Sequence, residues 1–279
     1  MSSGVEPEFP DDFDQVRSDG SGDIAYFGRD VLRGLVDGIH LELEYQRANA
    51  SRWHWGTAVL GCAMWMDDSV LMQTLRGCSS VCVVVTKQAQ KGPWEKKIEH
   101  LLRFAEEAQG LAQEAFPELA ELARARNGAR LVVGPGTPAW HEGIPAIREL
   151  GFRRVGDRLV PIVHAKLALL GRMRWTDEHP SGHLVDEIYF DPRRLWIGSA
   201  NFTSSSRRSL EMGMWTSNAQ LIAAARRFLL DLVGASEPLG SPHPHMAPEF
   251  LPVEYDDEAF FEYVSDLDME EDIDNGNRS

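Results

Sequence analysis

The sequence is short of several things, and each shortage removes a class of protein. It has only three cysteines in 279 residues, Cys62, Cys78 and Cys82, with no C-x-x-C pairing. An odd, sparse set among apolar neighbours excludes a disulfide framework and points to ordinary core thiols in a reducing compartment, the cytoplasm. No apolar run reaches the roughly 18 residues that a membrane-spanning helix needs. The first residues, "MSSGVEPEFPDDFD", carry neither a basic start nor an apolar stretch, so no secretory signal is expected.

Positive charge is also scarce, but unevenly. The formal net charge is -15. Residues 1–30 hold eight acids and two bases, and residues 251–279 hold eleven acids and one base. The remaining body, 31–250, has twenty-four acids and twenty-five bases, so it is close to neutral. The acidity of the chain therefore says little about what its body binds.

What is present is a core-forming body, with 43% hydrophobic residues over the whole chain. Residues 1–22, acidic and rich in Pro, Gly and Ser, are expected to be disordered. Apolar residues at helical spacing, Val31, Leu32, Leu35, Val36 and Ile39, predict a helix from about Asp23 to Tyr45. "GTAVLGCAMWM" (56–66) and "SVCVVVTK" (80–87) read as buried strands around a helix at 67–77 with an acidic start and a glycine stop. One or two helices are expected over 95–127, a strand at 129–136 and a short helix in "GIPAIRELGF". Three strands follow, "LVPIVHAKLALLG", "RLWIGSANFT" and "SLEMGMWTS", and then an amphipathic helix at 218–234. Five prolines between 236 and 252 mark a linker before the acidic tail. Alternating strands and helices predict an α/β fold, with helices on both faces of a mixed sheet. The domain is expected to span 23–235.

The stretch "PIVHAKLALLG" (161–171) puts a histidine and a lysine inside an apolar run. Residues two apart on a strand share a face, so His164 and Lys166 are expected to point together. Ser199 with Asn201, and Glu211 with Gly213, do the same on the next two strands. If the strands are neighbours, an imidazole, an ammonium, a hydroxyl, an amide and a carboxylate converge. Lysine, serine and asparagine can donate to phosphate oxygens, and fixed donors of this kind are worth roughly 3–4 kcal/mol each where negative charge develops. A neutral imidazole can attack phosphorus. A glutamate can accept from its other nitrogen and fix the tautomer. This chemistry asks for no metal and no cofactor.

"HAK", then "GSANFT", then "LEMG" resembles the phospholipase D superfamily, whose motif is H-x-K-x4-D with a downstream G-S-x-N and a glutamate. The resemblance covers roughly residues 55–235. It implies an α/β/α sandwich and a phosphohistidine mechanism on phosphodiesters. By that match His164 is the nucleophile, Lys166 and Asn201 are phosphate ligands, Ser199 supports them and Glu211 orients the histidine. Two departures stand out. Gly171 occupies the aspartate position, for which Asp186 or Asp191 are candidate replacements. Thirty-four residues lie between His164 and Ser199, so segment 172–194 looks inserted, as a lid or a substrate rim.

Only one copy of the motif is present: His40, His54, His100 and His141 lack a lysine two positions on. Protonation of the leaving oxygen needs a second group, which a homodimer supplies across a two-fold axis. Arg207 and Arg208 follow the G-S-A-N turn and are candidates to hold flanking phosphates of a nucleic acid. Trp140 and Trp175 lie in loop-like stretches suited to base stacking. His243 and His245 are read as linker residues rather than a metal pair, and the tail as a solubilising segment or a nucleic-acid mimic. The expected function is a metal-independent nuclease acting on DNA or RNA, in the manner of relatives from restriction and phage-defence systems, with defence-complex proteins as partners and no membrane. The alternatives are a lipid phosphodiesterase or phosphatidyl transferase, and a catalytically silent nucleic-acid-binding or assembly subunit.

Overall fold

The computed structural model of the chain describes residues 12–18, 22–49, 54–87, 95–112, 115–119, 144–151, 153–155, 158–159, 161–178, 184–239 and 254–255. Its centre is a nine-stranded mixed sheet. In chain order the strands and helices begin with β1 (Phe13–Arg17), β2 (Ile24–Gly28), α1 (Leu32–Ala48), β3 (His54–Ala63), α2 (Ser69–Arg76), β4 (Ser80–Thr86) and α3 (Glu95–Glu107). They continue with β5 (Ile147–Leu150), β6 (Arg153–Val155), β7 (Arg158–Leu159), β8 (Leu167–Glu178), β9 (Leu184–Gly198), β10 (Glu211–Thr216), α4 (Ala219–Ala235), β11 (Glu237–Pro238) and β12 (Glu254–Tyr255). The main sheet runs β1-β2-β10-β9-β8-β3-β4-β5-β11; β12, β6 and β7 form a separate small sheet.

The period of two along each strand sorts side chains into two cores. Val59, Val81, Val83, Ala168, Leu170 and Trp196 face α1, α2 and α3. Leu60, Cys62, Cys82, Val84, Leu169 and Leu195 face Ile222, Ala225, Leu229 and Val233 of α4. The fold is therefore α/β with helices on both faces. β3, β4 and β5 are parallel, and every residue of β4 is buried, as a strand covered on both sides requires. Every other pairing in the main sheet is antiparallel.

Caps stand where the sequence puts them. Asp68 begins α2 by accepting from Leu71 N at 2.8 Å. Asn218 begins α4 by accepting from Gln220 N and Leu221 N. Each cap satisfies backbone donors that a helix start otherwise orphans. All three cysteines are buried and free, and burial pushes their thiols up to about 12.

Four expectations are corrected. Part of segment 1–22 is ordered as β1, which pairs with β2 and sets the Phe13 ring edge-on against Tyr26 at 4.8 Å. The predicted helix from Asp23 starts only at Leu32, because Ile24–Gly28 is taken by the sheet. "GIPAIRELGF" is a strand at its centre: Ile147–Leu150 ladders in parallel with Val83–Thr86, and all four of its residues are buried. Four residues are too few for helical period to outweigh a vacant place beside β4. The described part of segment 172–194, residues 172–178 and 184–194, is not a loop. It completes two long strands, β8 and β9, paired from Leu167↔Ile197 to Glu178↔Leu184. The predicted strand at 129–136, the two histidines at 243 and 245, Trp140 and the tail beyond Tyr255 lie outside the described residues. Glu237 and Pro238 of the expected linker add an edge strand to β5.

Candidate functional site

Neither half of the motif lies on a strand. β8 begins at Leu167 and β9 ends at Gly198, so His164 and Lys166 immediately precede one strand and Ser199 and Asn201 follow its neighbour. Both segments leave the ladder at the end where the parallel strands finish, the usual edge for a ligand in an α/β sheet. The 161–166 segment is fastened there from two sides. Thr86 Oγ1 donates to Val163 O at 2.8 Å and accepts from Val163 N at 3.2 Å. Gly198 N donates to Lys166 O at 3.1 Å.

His164 is exposed and Lys166 is buried, 7% exposed. The Lys166 ammonium donates to the His164 carbonyl at 2.8 Å and lies 3.3 Å from Nδ1 and 3.4 Å from Nε2. Partial burial of the ring, and then the neighbouring ammonium, hold the imidazole below its ordinary pKa. Burial lowers the lysine too, opposed by the charge of Glu211. The resting pair is thus a neutral ring beside a cation.

Ser199 and Glu211 form the second pair. Ser199 N donates to Met212 O at 3.0 Å, Met212 N donates to Ser199 Oγ at 3.0 Å, and Ser199 Oγ donates to the Glu211 carboxylate. These bonds close β9 onto β10 directly beyond the ladder pair Gly213↔Gly198. The expected role of Glu211, orienting the histidine, is not what the geometry displays. Its carboxylate takes the Ser199 hydroxyl, while an ammonium lies within reach of both ring nitrogens. Asn201 sits two residues on, between the buried Ala200 and Phe202. Its Oδ1 is buried with no hydrogen-bond partner among the described residues.

The two arginines part ways. The Arg207 guanidinium is engaged within the chain. Its Nε and Nη2 donate to Asp68 at 2.5 and 2.9 Å, and its Nη1 donates to Asp30 at 2.6 Å. Arg208 is exposed at the end of the same turn. Asp191, a candidate stand-in for the missing motif carboxylate, accepts from Arg174 Nε at 2.8 Å and has Arg193 at 3.5 Å. The side chain of Asp186 lies outside the described residues. Gly171 itself has no room for a carboxylate: a Cβ there comes within 2.5 Å of both the Asp191 carbonyl oxygen and the Phe190 ring.

Among the described residues no group of three or more His, Cys, Asp and Glu side chains gathers to hold a metal ion. The arrangement brings an exposed imidazole, a buried lysine and an amide to one edge of the sheet, groups of the kind that can hold a tetrahedral anion. Sequence reasoning missed Asp30 and Asp68 as partners of Arg207. Asp68 was legible as a helix start, but Asp30 and Arg207 lie 177 positions apart and nothing local links them.

No protein-family model matches the sequence. No curated protein matches it either. Among solved structures the chain is similar to NucT from Helicobacter pylori, at 9% identity and a TM-score of 0.41, over 77% of this chain and 96% of that one. It is also similar to polyphosphate kinase from Porphyromonas gingivalis, at 15% identity and a TM-score of 0.39, over 72% of this chain and 24% of that one. At 12% identity and a TM-score of 0.39, over 77% of this chain and 96% of that one, it is similar to a phospholipase D family member, Nuc from Salmonella typhimurium.

Proposed function

We propose that the chain is a metal-independent phosphodiesterase that cleaves nucleic acid through a phosphohistidine at His164. One observation carries this reading: a surface imidazole held neutral beside a buried ammonium, 3.3 Å away, at the open end of the sheet. The nucleophile is available because the ring nitrogen keeps its lone pair. A ring nitrogen forms a bond to phosphorus as the phosphorus–oxygen bond to the leaving group breaks. The Lys166 ammonium neutralises the equatorial oxygens and the Asn201 amide donates a hydrogen bond to them, fixed groups that need no reorganisation as the transition state forms. Glu211 and Ser199 support the charge of Lys166 and the turn that carries Asn201. Water then releases the phosphate from the ring.

The leaving oxygen needs a proton, and one chain offers one motif histidine. A second copy of the chain supplies the other imidazole, so the working enzyme is a homodimer. Arg208, exposed beyond the Asn201 turn, favours a polyanionic substrate over a lipid. Among the described residues no helix is long and apolar enough to cross a membrane. A place in a phage-defence or restriction system follows from the family resemblance.

The test is incubation with labelled single- and double-stranded DNA, RNA and phosphatidylcholine in EDTA. Nucleic-acid cleavage is expected, with loss of at least about 10³-fold in His164→Ala, the scale at which a covalent nucleophile acts. Choline release identifies the lipid enzyme instead. Binding of nucleic acid without turnover, unchanged in His164→Ala, identifies a silent subunit.

A further inference from the structure

The segment between β9 and β10 carries Ser199 and Asn201, yet it has no ladder of its own. It is stitched to the chain that leaves β3. Phe202 N donates to Trp65 O at 3.1 Å, and Asp67 N and Asp68 N both donate to Phe202 O at 3.0 Å. Asp67 Oδ1 accepts from Ser204 N at 2.8 Å and from Ser204 Oγ at 3.2 Å. Arg207 then closes the segment with a fork on Asp68 and a third bond to Asp30, while Asp30 N donates back to Arg207 O at 2.9 Å.

Two features mark this clamp as more than a surface ion pair. Asp68 is 2% exposed, so its charge depends on its partners. Burial raises its carboxyl pKa; the Arg207 and Leu71 hydrogen bonds outweigh that, and the net shift is down. Asp30 has φ +54°, the one non-glycine in the left-handed region among the described residues. A backbone outlier of this kind persists only where the surroundings hold it, and such outliers gather at functional sites. Asn201, meanwhile, has a buried Oδ1 with no partner among the described residues. Among the described residues no hydrogen bond to that oxygen holds the carboxamide.

We propose that Arg207, acting through Asp68 and Asp30, is a positioning residue that sets the Asn201 carboxamide against the anion held by His164 and Lys166. This rests on the phosphodiesterase reading above. The guanidinium is not a substrate ligand; it determines where a substrate ligand stands. Two conservative changes separate the clamp from the fold. Asp68→Asn keeps the Oδ1 acceptor that caps α2 and removes the charge facing Arg207. Arg207→Lys keeps the charge and loses the fork. If Arg207→Lys does not fold, Asp30→Gly tests the same contact, since glycine accepts a φ of +54° and keeps the N–H.

The experiment is a double-mutant cycle with Asn201→Ala in the full chain. Turnover of bis(p-nitrophenyl) phosphate is read alongside amide hydrogen exchange across 199–209. Arg207→Lys and Asp68→Asn are expected to lower kcat by about 10- to 100-fold, the effect of displacing a site group by around 1 Å, with KM little changed. In the Asn201→Ala background the same changes cost less than about twofold, because residues that act through one another are not additive. Exchange at 199–209 rises in both variants. Additive losses in the cycle, or unchanged exchange, overturn the proposal. If the unmodified protein turns over no phosphodiester, the functional reading falls by itself. Exchange then decides the clamp: protection lost in the variants upholds it, and protection retained ends it.

Discussion

An imidazole 3.3 Å from an ammonium resists protonation, because a second positive charge there repels the first. Partial burial of the ring adds to the effect and leads it. The sign is definite. On the proposed mechanism His164 attacks only while neutral, so activity is expected to disappear as pH falls through a ring pKa that burial and Lys166 hold below the ordinary imidazole value. Proton NMR titration of the His164 ring is expected to give a midpoint below 6.5 that moves upward in Lys166→Gln, where the ammonium is gone. A midpoint above 6.5, or no movement in the variant, contradicts the pairing. The types at 164, 166, 199, 201 and 211 were legible from the motif. The partner each one chooses was not: Glu211 takes Ser199, and Arg207 takes two aspartates.

At the scale of elements, β8 and β9 leave no space at position 171 for the aspartate of the motif that the sequence resembles. Their pairing shifts register between Leu170 and Gly171, which places Gly171 opposite Pro192. The Phe190 ring and the Asp191 carbonyl occupy the space a side chain needs. Phe190 in turn stacks at 5.2 Å on Phe116 beneath α4, so it has nowhere to retreat. Gly171→Asp is therefore expected to destabilise by at least about 3 kcal/mol, through overpacking joined to burial of a carboxylate. Urea denaturation measures it, and a wild-type midpoint disproves the steric account. The strands themselves were readable from apolar runs and turn residues. Their length was not, because polar residues such as Arg172, Arg174 and Asp191 were taken for loop and are instead tied to one another or to Glu42.

At the scale of the molecule, the single motif is the feature with the largest consequence. On the proposed mechanism one histidine attacks and the leaving oxygen needs a proton from a second one, so a single chain holds half of the site. Light scattering of the purified protein is expected to give twice the 31.2 kDa chain mass. His164→Ala mixed with the unaltered chain is expected to lower activity more than in proportion to its share, because mixed dimers lack one of the two imidazoles. A monomer with full activity refutes the shared site. The overall layering was legible, since strands alternate with amphipathic helices that must bury one face on either side of the sheet.

The sequence by itself determined the class of fold, the acidic start of α2, the amphipathic helix α4, and the cluster of residue types suited to an anion. These depend on period, local hydrogen bonding and composition, which are properties of neighbours along the chain. Only the tertiary structure decided that β1 and β5 join the sheet, that Gly171 has no space for a side chain, and that Arg207 pairs with Asp68 and Asp30. Those outcomes depend on groups far apart in the chain meeting at fixed distances. Pairing across 177 positions leaves no mark on the residues between.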